Sequence, residues 1–197
     1  MFSLNVPIPL AVGRLASDLH PKLSGFDRVR DRHTLVCKRF GVADVAERTD
    51  ENVTVGPDAD PAGVEADDAR PPRPVALDRL RERLRRPLAG TSPFRVAVTG
   101  VDTFDAPASG ARPVVYLTIE SDGLVRLHRR LCAVFGPIEG IEGDDYVPHV
   151  TLARGGNPDP GVVADLLASE FEPIRWRVHA LDVWDPEVRE VAATMDL

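Results

Sequence analysis

The chain has 197 residues, 43% of them hydrophobic, with 31 acidic against 24 basic side chains and a net charge of −7. That apolar content supports a core that forms without metal or disulfide help, while the acidic balance argues against indiscriminate nucleic-acid binding, which needs local positive charge. No apolar run approaches the roughly 20 residues a membrane crossing requires, and the two cysteines, Cys37 and Cys132, have no ligand spacing, which argues against a disulfide framework or zinc site and makes a reducing cytoplasm the expected location.

Residues 2 to 8 read as a first strand rather than a signal peptide, because no basic segment precedes the apolar residues. Leu10, Val12, Leu15, Ala16 and Leu19 then form a helical stripe. The segment from Phe26 to Phe40 reads as a strand or a hairpin, rich in alternating charge and ending at Gly41. From about 46 to 74 the character changes: acidic residues and prolines predominate and large apolar residues are few, so the stretch reads as an acidic loop insertion with at most a short strand near Val53 to Val55. Val75 to Leu88 is a helix whose polar face carries Arg79, Arg81, Arg83, Arg85 and Arg86. Strands are expected at Phe94 to Val101 and Pro113 to Glu120, a helix at Gly123 to Phe135, a strand at Tyr146 to Ala153, and a helix at Pro160 to Ser169. Two closing strands, Phe171 to Trp184 and Val188 to Met195, meet at an Asp185-Pro186 turn. Mixed helices and alternating strands give an α+β class, a single domain over 1–197. No Gly-rich loop follows a strand, so a Rossmann or P-loop reading has little support.

The chemistry concentrates in two segments. In Tyr146-Val-Pro-His-Val-Thr-Leu-Ala-Arg154, a regular strand turns His149 and Thr151 to one face and Val150 and Leu152 to the other. An imidazole that exchanges protons near neutral pH then stands beside a hydroxyl that can bond a phosphate oxygen. Alternation puts Arg154 on the face opposite His149. The segment Arg32-His33-Thr34-Leu35-Val36-Cys37-Lys38 has a similar flavour, with Lys38 as a nearby cation. Two imidazoles facing one cyclic phosphodiester would take a proton from water and give one to the leaving oxygen, with hydroxyls and a cation stabilising the charge on phosphorus oxygens. Arg28, Arg30 and Arg32 alternate into His33 and are candidates for gripping a nucleic-acid backbone. Of the other histidines, His20 reads as a helix-end residue, His128 lies on an arginine-rich helix, and His179 sits in the last-but-one strand. Trp176 and Trp184 read as core, with base stacking the sharper alternative.

On these residues the chain resembles the two-histidine phosphoesterase superfamily, in its 2′-5′ RNA ligase and RNA 2′,3′-cyclic phosphodiesterase branch, which is marked by two His-x-Thr/Ser motifs. Pro148-His149-Val150-Thr151-Leu152-Ala153-Arg154 matches the second motif, and the resemblance runs over most of the chain apart from the acidic loop. It implies a two-lobed, pseudo-symmetric fold, each lobe an antiparallel sheet backed by helices, with the groove between them. It also implies metal-independent hydrolysis of an RNA 2′,3′-cyclic phosphate end to a 2′-phosphate, with His33 and His149 catalytic, Thr34, Thr151, Lys38 and Arg154 binding substrate, no cofactor, and possible reversal as 2′-5′ ligation by a monomer. The first motif departs from the pattern: Thr34 follows His33 directly and Leu35 takes the expected threonine position. Either a β-bulge re-aims a side chain, or Lys38 or another group replaces the hydroxyl. The alternatives are an enzyme of the same superfamily acting on a small cyclic phosphate or an oligoadenylate, and a noncatalytic RNA-end binding module.

Overall fold

The computed structural model describes residues 2–45, 71–105, 107 and 110–197. Nearly all of the acidic insertion, including the short strand expected near Val53, lies outside the described residues, and Arg73 and Pro74 belong to the helix that follows it. In chain order the elements are β1 (Phe2–Val6), α1 (Leu10–Leu19), β2 (Arg28–Val29), β3 (Leu35–Phe40), α2 (Arg73–Leu88), β4 (Phe94–Phe104), β5 (Val114–Glu120), α3 (Asp122–Phe135), β6 (His149–Arg154), α4 (Pro160–Leu167), β7 (Ile174–Val178), β8 (Ala180–Asp185) and β9 (Glu190–Asp196). The class is α+β. Among the described residues no helix is long and apolar enough to cross a membrane.

Local chemistry sets the helix ends. The Ser121 hydroxyl accepts from the Leu124 N–H at the start of α3, and Gly136, at φ 77°, ends it. Asp159 accepts from the Gly161 N–H, with Pro160 at the first helical position of α4.

The strands form one antiparallel sheet in the order β7-β4-β5-β6-β3-β1-β8-β9, with β2 added beside β6. It falls into two halves of four strands that meet at β6 and β3, where the ladder narrows to the single pair Leu35 with Val150. Two strands expected from sequence are each divided. Phe26 to Phe40 becomes β2 and β3, both next to β6. Phe171 to Trp184 breaks at His179 into β7, on the outer edge of one half, and β8, inside the other. One residue joins strands so far apart in the sheet order, so the sheet must curl its two ends toward each other.

Helix α3 packs on β3 and β4. Leu35, Cys37 and Phe40 face the core on that side, where Leu124, Leu127 and Leu131 are fully buried. The β1–β3 register shifts by one residue: Leu4 pairs with Lys38 but Asn5 pairs with Val36, leaving Cys37 as a bulge. The bulge reverses the strand's alternation, so Lys38 turns inward and Arg39 turns out.

Lys38 is 1% exposed and its Nζ donates to Glu142 Oε2 at 2.7 Å and to the Arg39 carbonyl at 2.6 Å. The same carboxylate accepts from the Arg39 N–H at 2.8 Å and the Ile138 N–H at 3.0 Å. His128, fully buried, adds a second tie: Nδ1–H donates to the Cys37 carbonyl at 2.7 Å and Nε2 accepts from the Gly143 N–H at 2.9 Å. Burial holds this imidazole below its ordinary pKa, which favours the neutral tautomer that both bonds require. Tyr146 stacks on it at 3.7 Å and donates to the Val36 carbonyl at 2.7 Å. The loop 136–146 is thereby clamped to the bulge in β3.

Glu142→Ala leaves a buried, unpaired ammonium and is expected to destabilise the fold by about 3–5 kcal/mol in urea denaturation. The apolar pair Lys38→Met with Glu142→Leu is expected to recover most of that loss, because it removes both charges together.

Candidate active site

A cavity of about 750 Å³ opens on the sheet face opposite α3, where the two halves meet. Its floor comes from β3 and β6. From β6 it takes His149, Thr151 and Arg154; from β3 and the segment before it, Arg32, Thr34, Val36 and Arg39. Arg30, Arg189, Trp184 and Phe104 line its sides, and the clamped loop contributes Ile141, Asp145 and Tyr146.

Strand β6 carries the same device as β3. Val115 pairs with Ala153 but Tyr116 pairs with Thr151, so Leu152 is the extra residue. Leu152 and Ala153 are both fully buried, and the alternation resumes reversed. Arg154 therefore joins His149 and Thr151 on the cavity face, correcting the expectation that it points away. Both strands present residues i, i+2 and i+5 to the cavity: Thr34, Val36 and Arg39 from one, His149, Thr151 and Arg154 from the other.

His33 lies two residues before β3 and is not among the lining residues. Its Nδ1 faces the Thr151 main-chain carbonyl at 3.4 Å, bridging the narrow seam between the halves. The neighbours on either side, Arg32 and Thr34, are the ones that line the cavity. The cavity-facing frame of this segment is thus Arg32-His33-Thr34, matching His149-Val150-Thr151 with arginine in place of histidine. What is displaced from the first motif is the histidine rather than the threonine. Lys38, expected to bind substrate, is instead held in the core by Glu142, and the bulge substitutes Arg39 at the cavity.

Aromatic contacts orient His149. Its ring meets Phe104 at 5.1 Å and Tyr116 at 5.2 Å, both edge-on, and its Nδ1–H donates to the Val147 carbonyl at 2.7 Å. That bond leaves Nε2 as the proton acceptor of the neutral ring. Burial, helped by the positive charges of Arg39 and Arg154 and opposed by the Val147 bond, lowers the pKa below the usual histidine value. Tyr116 donates to Asp102 at 3.3 Å, and burial together with that carboxylate pushes its phenol up to about 12, so it stays protonated. Arg32 is held by the Trp184 ring, 3.7 Å below its guanidinium carbon, and donates to the Arg189 carbonyl at 2.8 Å.

Among the described residues, five arginines and one acid, Asp145, line the cavity. The run on α2 plays a different part: Arg81 and Arg85 pair with Asp78 and Glu82 on a solvated face. Among the described residues no group of three or more His, Cys, Asp or Glu side chains is arranged to hold a metal ion.

A family model described as the 2′-5′ RNA ligase superfamily matches residues 54–190. The chain belongs to that superfamily. The match covers the His149–Thr151 segment and begins downstream of Arg32, His33 and Thr34, the segment in which the motif is altered. The fold is similar to the crystal structure of TT0787 of Thermus thermophilus, with a TM-score of 0.58 at 20% identity over 100% of this chain and 97% of that one. No curated protein matches the chain. The nine-stranded antiparallel sheet with its helices is consistent with the fold of the superfamily.

Proton NMR titration is expected to find His149 half-protonated below the ordinary histidine value of about 6.5. Arg39→Gln removes a nearby positive charge and should move that midpoint upward; a midpoint at or above about 6.5 in the wild-type protein counts against the burial described.

Proposed function

We propose that the cavity binds the phosphate end of an RNA strand and opens a 2′,3′-cyclic phosphate there, with His149 as the proton-transferring group. The observation that carries this reading is the convergence of one neutral imidazole, two threonine hydroxyls and five arginines on one cavity. With Nδ1–H tied to Val147, His149 Nε2 is suited to take a proton from the attacking water as the water oxygen bonds to phosphorus. Thr34 and Thr151, with Arg32 and Arg39, offer donors to the phosphorus oxygens as their charge grows.

Arg32 stands where a second imidazole would serve as general acid. A guanidinium stabilises charge but does not release a proton at neutral pH, so the departing ribose oxygen takes its proton from solvent. Losing one acid–base partner typically lowers the rate by about 10²–10⁴, which makes this a slow phosphoesterase whose binding outlasts its turnover. A noncatalytic RNA-end binding module is the second reading, favoured by the absence of His33 from the cavity lining.

The test uses an oligonucleotide with a 2′,3′-cyclic phosphate end, in EDTA. Turnover is expected to fall by about 100-fold or more in His149→Ala. It should follow one rising sigmoid with pH, because loss of the proton from the lowered-pKa imidazole activates the base and no second imidazole switches it off. His33→Ala is expected to keep most of the activity. A bell-shaped profile and inactivity of His33→Ala would restore the two-imidazole mechanism, whereas tight binding without turnover leaves the binding module.

A further inference from the structure

The cavity carries more positive charge than one phosphodiester needs. A cyclic phosphate has one negative charge, and the donors at Thr34, Thr151, Arg32 and Arg39 suffice for it. Of the other three arginines, Arg189 lies beside Arg32, whose guanidinium its carbonyl accepts, while Arg30 and Arg154 stand at the other end of β6. Arg154 lies three residues beyond Thr151, past the Leu152 bulge at the end of β6. Its guanidinium extends toward the loop before β5, where Nη1 comes within 2.5 Å of the place a side chain on Gly110 would occupy. Gly110 adopts φ 83° and leaves that space open.

This end of the cavity is unfavourable without an anion. Arg28 and Arg154 stand directly opposite each other on β2 and β6, an arrangement in which like charges repel. Arg30 follows two residues on, its N–H bonded to the Leu152 carbonyl at 2.8 Å, which fixes its position beside β6. None of Arg28, Arg30 or Arg154 has a carboxylate within ion-pair distance among the described residues, and the buried Nε of Arg154 has no hydrogen-bond partner. Burial, with Arg30, Arg28 and Arg39 nearby, weakens Arg154's hold on its own proton. Two cavity-lining guanidiniums without carboxylate partners among the described residues, with Arg28 paired opposite one of them, make a cluster suited to a phosphate.

Resting on the reading of the cavity as an RNA-end site, we propose that Arg30 and Arg154, with Arg28 at the rim, form a second phosphate subsite that receives the phosphate one nucleotide inward from the reacting end. The preferred ligand then carries two phosphates, and a nucleoside bearing only a cyclic phosphate binds poorly.

The test measures binding of three probes to the full chain: a nucleoside 2′,3′-cyclic phosphate, the same nucleoside with an added 5′-phosphate, and a dinucleotide with the same cyclic end. The second and third are expected to bind about tenfold or more tightly than the first, as one charge-assisted contact implies. Their affinity should also fall more steeply with salt, by about 0.7 in log–log slope per added phosphate contact. Arg154→Gln and Arg30→Gln are expected to shrink both differences toward zero, with circular dichroism checking that the variants are folded. If the dinucleotide alone gains affinity, the gain comes from the second base and the subsite is refuted. It is likewise refuted if all three probes bind alike, or if the variants weaken all three equally. Failure of every probe to bind, or binding indifferent to Arg32→Gln, instead defeats the reading of the cavity as an RNA-end site and the subsite with it.

Discussion

The cavity depends on two single-residue bulges, at Cys37 in β3 and Leu152 in β6, and on the buried charge pair that makes the first of them tenable. An extra residue reverses which side chains a strand sends to each face. In β3 that reversal drives an ammonium into the core, a position that is costly unless a counter-charge with good geometry meets it. Glu142 meets it, and its remaining acceptor capacity ties down the Arg39 and Ile138 main chain. The same pair therefore keeps Lys38 in, points Arg39 out and holds the loop that supplies Ile141, Asp145 and Tyr146 to the cavity wall.

A molecule with net charge −7 gathers five arginines around one opening. Such segregation focuses an anionic ligand on the cavity while the rest of the surface repels it. Burial, acting with the same field, lowers the His149 pKa and so favours the neutral ring. In the proposed reaction, arginine where the second imidazole would stand exchanges proton transfer for charge stabilisation: it would strengthen the grip on phosphate and remove one route for protonating the leaving group.

Much of the fold was legible because its signals are local. The stripes of α1 and α3 and the alternation of β4 and β5 depend on neighbours within a few residues. The divisions of two long strands were not legible. His179 lies between β7 and β8, where the apolar positions change phase from Ile174, Trp176 and Val178 to Leu181 and Val183, and pairing with opposite halves of the sheet separates the two strands. His128 looked like a residue of a charged helix, yet its partners are main-chain groups 91 and 15 residues away.

By itself the sequence determined the class, the family and the His149-x-Thr151 face, since a two-residue period and a short motif are properties of adjacent residues. Whether Lys38 or Arg39 faces the cavity, and whether Arg154 joins His149 there, was decided by tertiary structure. Those choices depend on an extra residue in a ladder, and a bulge is set by the register of the partner strand and by a carboxylate far downstream, neither of which is written in the segment that bulges.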